Sequence, residues 1–165
     1  MTKWILAAAL IVAAFPSSAL AQTKESLVGT WKLVSVTGTN DKGEVVHPAG
    51  NDPTGFLTYT ADGRFSVIMA DTGRTITPPN SNEEKAKAFD TFHAYAGTYA
   101  FTGDQVLHHI EAAWYQILVG TDQVRSVTLD GDRLTLRGGF LVNGVMYNGK
   151  TELVWERLRP KTAEK

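Results

Sequence analysis

Turn dipeptides punctuate this chain at short intervals: Asp62-Gly63, Gly103-Asp104, Asp130-Gly131, Asn143-Gly144 and Asn148-Gly149. Glycine reaches the left-handed backbone region without a Cβ clash, and Asp and Asn tolerate it, so such pairs mark hairpins where strand-like runs flank them. The flanking runs here are of that kind. "GFLTYT" and "RFSVIMAD" surround the first pair, "TYAF" and "QVLHHIEAAW" the second, and "DQVRSVTL" and "RLTLRG" the third. With "LVGTWKLVSVTG" (27–38), "FLVNGVMY" and "KTELVWERL", the chain reads as a succession of about eight to ten short antiparallel strands. A closed up-and-down barrel is the economical fold for such a series, because closure removes exposed strand edges.

One segment breaks the rhythm. "SNEEKAKAFDTFHAYA" (81–96) opens with Ser81 and Glu84 at capping-box spacing, and Ala86, Phe89, Phe92 and Ala96 recur at helical intervals. The pattern predicts one amphipathic helix inserted in the sheet, lying against the barrel wall or over a mouth. The connection "TNDKGEVVHPAGNDPTG" has no helical period.

The chain begins with Lys3, an apolar run from Trp4 to Phe15, a Pro16-Ser17-Ser18 break and the small-x-small triplet Ala19-Leu20-Ala21. This is the pattern of a cleaved signal peptide over 1–21, with the mature chain starting at Gln22. The run is shorter than the roughly 20 residues of a membrane-spanning helix, so no stable span is expected after cleavage. The expected compartment is the periplasm or the medium. A barrel domain over 27–158 and a frayed charged tail over 159–165 complete the expected layout.

There is no cysteine among the 165 residues, which excludes disulfides, thiolate metal sites and a cysteine nucleophile. The formal charge of −1 becomes −2 without Lys3, with acids and bases interspersed, so nothing in the charge pattern suggests a nucleic-acid partner. The chain has no G-x-S-x-G elbow, no H-E-x-x-H and no phosphate loop.

Gly29-Thr30-Trp31 lies near the expected mature start. It resembles the G-x-W signature of lipocalins and other calycin barrels, and "GTWKLVSV" resembles the opening strand of fatty-acid-binding proteins. In order, "LVGTWKLVSV", "DPTGFLTYTADGRFSV", "EEKAKAFDTFHAYAGTY", "HHIE", "GTDQVRSVTLDGDRLTL" and "LVWERL" are similar to the small bacterial and fungal lipocalin-like domain family, from about Leu27 to Leu158. The resemblance implies a small antiparallel barrel with an internal cavity. It departs from fatty-acid-binding proteins, whose two-helix lid has no counterpart, and whose inward arginine and tyrosine are replaced by Leu153 and Trp155. By the same resemblance, Arg157 is expected to stack on Trp31.

The adjacent histidines of "VLHHIEAAW" are separated by strand alternation. With Gly103-Asp104 as a two-residue turn, Phe101 faces Val106, Tyr99 faces His108 and Gly97 faces Ile110. Tyr99, Phe101, Val106, His108, Ile110, Ala112 and Trp114 form the apolar inner face. Thr98, Ala100, Leu107, His109, Glu111 and Ala113 form the outer one. His109 and Glu111 then read as a solvated surface pair. Beyond Asp130-Gly131, Val127, Leu129, Leu134 and Leu136 share an inner face with Gln123 and Arg125. An inward arginine needs a carboxylate, a water network or an anionic ligand.

The candidate ligand-binding residues are therefore His108, Arg125, Gln123, Tyr99 and Trp114, and the expected partner is a small hydrophobic or amphipathic molecule. No cofactor or metal is called for. An alternative is a cofactor-free isomerase, cyclase or hydrolase, with His108 as acid/base, Tyr99 as its partner and Arg125 stabilising an anion. Haem or metal binding through a histidine, and a filled barrel without ligand, are the other classes. Arg64, next to a turn, reads as a surface residue, His93 as part of a solvated helix face, and His47 as a loop residue.

Overall fold

The computed structural model describes residues 22–40, 42–75, 81–142 and 145–159, with side chains left aside over 140–150. The leader and its cleavage triplet, the Asn143-Gly144 turn and the tail beyond Arg159 lie outside the described residues. A short helix α1 (Lys24–Leu27) leads into β1 (Gly29–Thr39), followed by β2 (Val45–Val46), β3 (Thr54–Tyr59) and β4 (Arg64–Ala70). Helix α2 (Asn82–Asp90) precedes β5 (Phe92–Phe101), β6 (Gln105–Ala113), a 3-10 turn at Gln116–Leu118, β7 (Asp122–Asp130), β8 (Arg133–Val142) and β9 (Val145–Arg157).

All the described strands form one antiparallel sheet in the order β2-β1-β3-β4-β5-β6-β7-β8-β9, and β1 also pairs with β9. That last pairing closes eight strands into a barrel and leaves β2 as an appendage on the end of β1, where Gly38 meets Val46. No described helix is long and apolar enough to cross a membrane.

The barrel's inner residues alternate along each strand, as a pleated wall requires. Leu57 and Tyr59 on β3, Phe65 and Val67 on β4, Val106 and Ile110 on β6, and Leu134 and Leu136 on β8 are buried. The base is closed by Trp31, whose Nε1 donates to the Leu27 carbonyl at 2.9 Å. Arg157 lies over the Trp31 ring, its guanidinium carbon 3.9 Å from the ring centre, as expected. Gly29 has φ +135°, and a Cβ there would sit 2.9 Å from Arg157 Nη1, so both the backbone and the space call for glycine.

Three expectations are corrected. The helix is shorter than 81–96: it runs Asn82–Asp90, and Phe92, His93 and Ala96 belong to β5. The capping box does form, with Ser81 Oγ accepting from the Glu84 amide and Glu84 Oε2 accepting from the Ser81 amide. The apolar stripe does not, since no residue of α2 is buried. Pairing of Phe92 with Ala70 and of His93 with Met69 outweighs the helical period, and aromatic Phe92 and Tyr95 suit a strand.

The second correction is local. The register of β5 and β6 matches alternation from Phe101–Val106 to Gly97–Ile110, then shifts so that Ala96 meets Ala112 and Tyr95 meets Ala113. Glu111 is the extra residue of this bulge. Beyond it the faces swap, so Ala112 is exposed and Ala113 packs on the core. Gly97 allows the close approach: a Cβ on it would lie 1.9 Å from the His109 carbonyl oxygen. Thirdly, Asn148-Gly149 is not a turn but part of the continuous strand β9.

Candidate functional site

Inside the barrel is a cavity of about 320 Å³. Its walls are largely apolar, with Leu33, Val67, Met69, Leu136, Leu153 and Trp155 prominent. His108 and Arg125 both line it. At the other end lie Asp71, Asp90 and His93, together with Pro48 and Ala49 from the β2–β3 connection. Asp90 and Pro48 are exposed, so this end opens to solvent.

His108 is brought inward by the β5–β6 hairpin. Thr102 N donates to Gln105 O around Gly103-Asp104, which sets Tyr99 opposite His108. His108 is only 1% exposed. Its ring stacks on Phe65, 4.0 Å between centres at 14°. Nε2 lies 2.7 Å from Tyr59 Oη, while Nδ1 is buried without a hydrogen-bond partner. Burial, reinforced by the Arg125 charge, pushes the imidazole pKa down to about 3, so the ring is neutral at physiological pH. Burial likewise raises the Tyr59 phenol well above its usual range.

Arg125 reaches the cavity from β7 and is 5% exposed. Nη1 donates to the Gly139 carbonyl at 2.7 Å and to the Val124 carbonyl at 3.0 Å. The register shift between Gly138 and Phe140 accompanies this contact. Gly138 has φ +151°, and a Cβ on it would press to 3.0 Å from Arg125 Cδ, so the glycine leaves room for the side chain. Burial lowers the guanidinium pKa, yet arginine retains its proton in proteins.

The other sequence candidates lie elsewhere. Gln123 is fully buried, but its Nε2 donates to Thr121 Oγ1 and it is not a cavity residue. Tyr99 is buried with its hydroxyl donating to the Thr60 carbonyl at 3.0 Å, away from His108. The phenol that meets His108 is Tyr59, and the expected Tyr99 partnership is corrected accordingly. Trp114 packs edge-on against His93, 4.9 Å between ring centres, outside the cavity lining. The 115–121 loop seals the end of β6 through buried Leu118 without lining the cavity, and α2 contributes only Asp90.

His109 and Glu111 both face outward but do not pair with each other. His109 Nδ1 meets Asp122 at 2.7 Å, and Glu111 meets Arg64 at 2.5 Å. Leu153 and Trp155 do line the cavity from β9.

Sequence reasoning did not single out Tyr95 or Asp71, which line the cavity, and gave no inner role to Tyr59 or His93. Tyr59 was within reach, since Leu57 and Tyr59 alternate into the same face as Phe65 and Val67 across the Asp62-Gly63 hairpin. His93 was hidden by the helical period. On β5 its Nε2 sits 3.6 Å from Asp71 Oδ1, both side chains 20% exposed. Burial lowers the His93 pKa and raises that of Asp71, partly offset by their mutual attraction, so the pair is drawn toward neutrality rather than locked as an ion pair.

Comparison with known proteins accords with this architecture. The lipocalin-like domain family matches residues 28–158, and the chain belongs to that family. Among solved structures it is similar to a lipocalin-like protein from Bacteroides uniformis, at 16% identity over 80% of this chain and 98% of that one, TM-score 0.45. It is also similar to a protein from Bacteroides eggerthii, at 16% identity over 80% and 99%, TM-score 0.43. A third is a mutant of the fluorescent protein UnaG, at 12% identity over 82% and 98%, TM-score 0.37. No curated protein matches.

Proposed function

We propose that this chain is an exported carrier or sensor that holds one small, largely apolar molecule in its barrel, with a polar group of that molecule directed at His108 and Arg125. The observation that carries the reading is their convergence on one apolar-walled cavity of about 320 Å³. Ligand sites run from roughly 300 to 1,000 Å³ and combine apolar walls with a few placed polar groups. A barrel of eight strands has room for one such molecule. Export rests on Lys3, the Trp4–Phe15 run and Ala19-Leu20-Ala21.

Two measurements test this. Native mass spectrometry of protein purified without denaturation should retain a small molecule, or show uptake of one from a panel of apolar probes. Val67→Phe, which fills the cavity, should abolish uptake while the thermal midpoint holds or rises. Uptake unchanged by V67F would place binding outside the barrel, and no uptake at all would remove the reading. Intact mass of secreted protein should give a chain starting at Gln22, and retention of the leader would end the export proposal.

A further inference from the structure

We propose that the outer end of the cavity is a subsite for a primary ammonium, received by the Asp71 carboxylate beside His93, so that the ligand is an amphipathic amine with its apolar body inside the barrel. This rests on the small-molecule reading above and adds a contact at the end remote from His108 and Arg125.

The strands set the separation of the two ends. Phe65, whose ring stacks on His108, and Met69, which pairs with His93, stand four residues apart on β4, about 13 Å at roughly 3.3 Å per residue. Asp71 follows the last residue of β4, held where its amide donates to the Thr91 carbonyl at 3.0 Å. Its side chain is 20% exposed and lines the cavity. Among the described residues its carboxylate meets only His93 Nε2, and at 3.6 Å that contact is too long for a hydrogen bond. More exposed carboxylates are better served. Glu111 meets Arg64 at 2.5 Å, Asp122 meets His109 at 2.7 Å and Glu152 meets Arg137 at 2.7 Å.

Neighbouring charge does not make up the deficit. Burial outweighs the attraction of His93 and of Arg74 and raises the Asp71 pKa, and the same cause lowers that of His93, so its ring is neutral. Arg74 is engaged on the helix side, with Nε donating to Thr91 Oγ1 at 3.1 Å and Nη2 to the Ala88 carbonyl at 3.0 Å, and it does not line the cavity. Asp90, the last residue of α2, brings a second carboxylate to the same end. A partly buried carboxylate short of both donors and countercharge is matched by a group that supplies N–H donors and one positive charge, and a primary ammonium supplies both. A hydroxyl offers a donor without the charge, and a carboxylate would meet like charge. The ammonium stays at the opening, where water reaches its remaining hydrogens. The apolar body lies inward, against Val67, Met69, Leu136 and Leu153. The cavity volume restricts that body to a short chain or a compact ring system.

The test is calorimetric titration at pH 7.5 with two probes of one chain length, octylamine and 1-octanol. Octylamine should bind at least about tenfold more tightly, equivalent to about 1.4 kcal/mol. Asp71→Asn, which keeps the shape and removes the charge, should bring octylamine to the octanol value and leave octanol itself little changed. Val67→Phe should remove binding of both probes, and octylamine that still binds V67F sits on surface carboxylates and overturns the subsite. A carbon-13 titration of Asp71 in the unaltered protein gives a readout that needs no variant. Its midpoint should lie about one pH unit lower with octylamine bound than with octanol bound. Equal binding of the two probes, or an unmoved Asp71 midpoint, overturns the amine assignment while leaving a ligand-binding cavity intact. Failure of both probes to bind overturns the cavity reading and this inference together.

Discussion

The Arg157 guanidinium carbon lies over Trp31, 3.9 Å from the ring centre, while Nη1 donates to the Val28 carbonyl at 2.7 Å and Nη2 to the Ser26 carbonyl at 2.6 Å. One side chain from the last strand therefore clamps the chain that enters the first. Arg157→Lys keeps the charge but loses the planar fork, and with it one of the two carbonyl contacts and the stacking. The expected loss is about 2 kcal/mol, read as a lower urea midpoint at unchanged slope. A midpoint within error of the parent would show that the clamp is decorative.

Stability should fall on acidification because of His108. Its folded pKa of about 3 lies below the value near 6.5 of an unfolded chain. Above pH 6.5 both states are neutral at this ring and its full contribution is present. Between 6.5 and 3 the unfolded state holds the extra proton, so stability drops by about 1.4 kcal/mol per pH unit. Burial lowers His93 in the same direction, while the raised pKa of its partner Asp71 acts in the opposite one. Urea midpoints from pH 7.5 to 4.5 should give a curve shallower by one proton in His108→Asn, measured at pH values where that variant is folded. Parallel curves would mean that His108 does not titrate as its burial requires.

Gly97→Ala should be costly out of proportion to its size. The added methyl would meet the His109 carbonyl oxygen at 1.9 Å, backbone that has nowhere to go. We expect a loss of at least about 3 kcal/mol or a failure to fold. Gly131→Ala is the control, with φ +56° but nothing within 4 Å of the new Cβ, and should cost about 1 kcal/mol. Similar losses for the two would refute the steric account of the bulge.

The Arg64–Glu111 pair should matter little. Its atoms are 2.5 Å apart, but the side chains are 55% and 42% exposed. A double-mutant cycle to alanine should return a coupling under about 1 kcal/mol, reduced further in high salt. A coupling well above that, insensitive to salt, would contradict the expectation for a solvated pair.

What the sequence determined by itself was local and periodic. Gly103-Asp104 gave the β5–β6 register, alternation put His108 and Arg125 on inner faces and His109 on the outer, and the Ser81–Glu84 spacing marked a helix start. Each follows from backbone geometry acting over a few residues. Tertiary structure decided the rest, because the deciding contacts join strands distant in the chain. The helix ended at Asp90 since β4 offered Phe92 and His93 a ladder to join. The inner face slipped at Glu111 because Gly97 on the facing strand admits a bulge. His108 met Tyr59, 49 residues away, rather than Tyr99 on the neighbouring strand. Alternation tells which side of a wall a residue faces, and only the closed barrel brings side chains from separate strands within hydrogen-bonding distance across it.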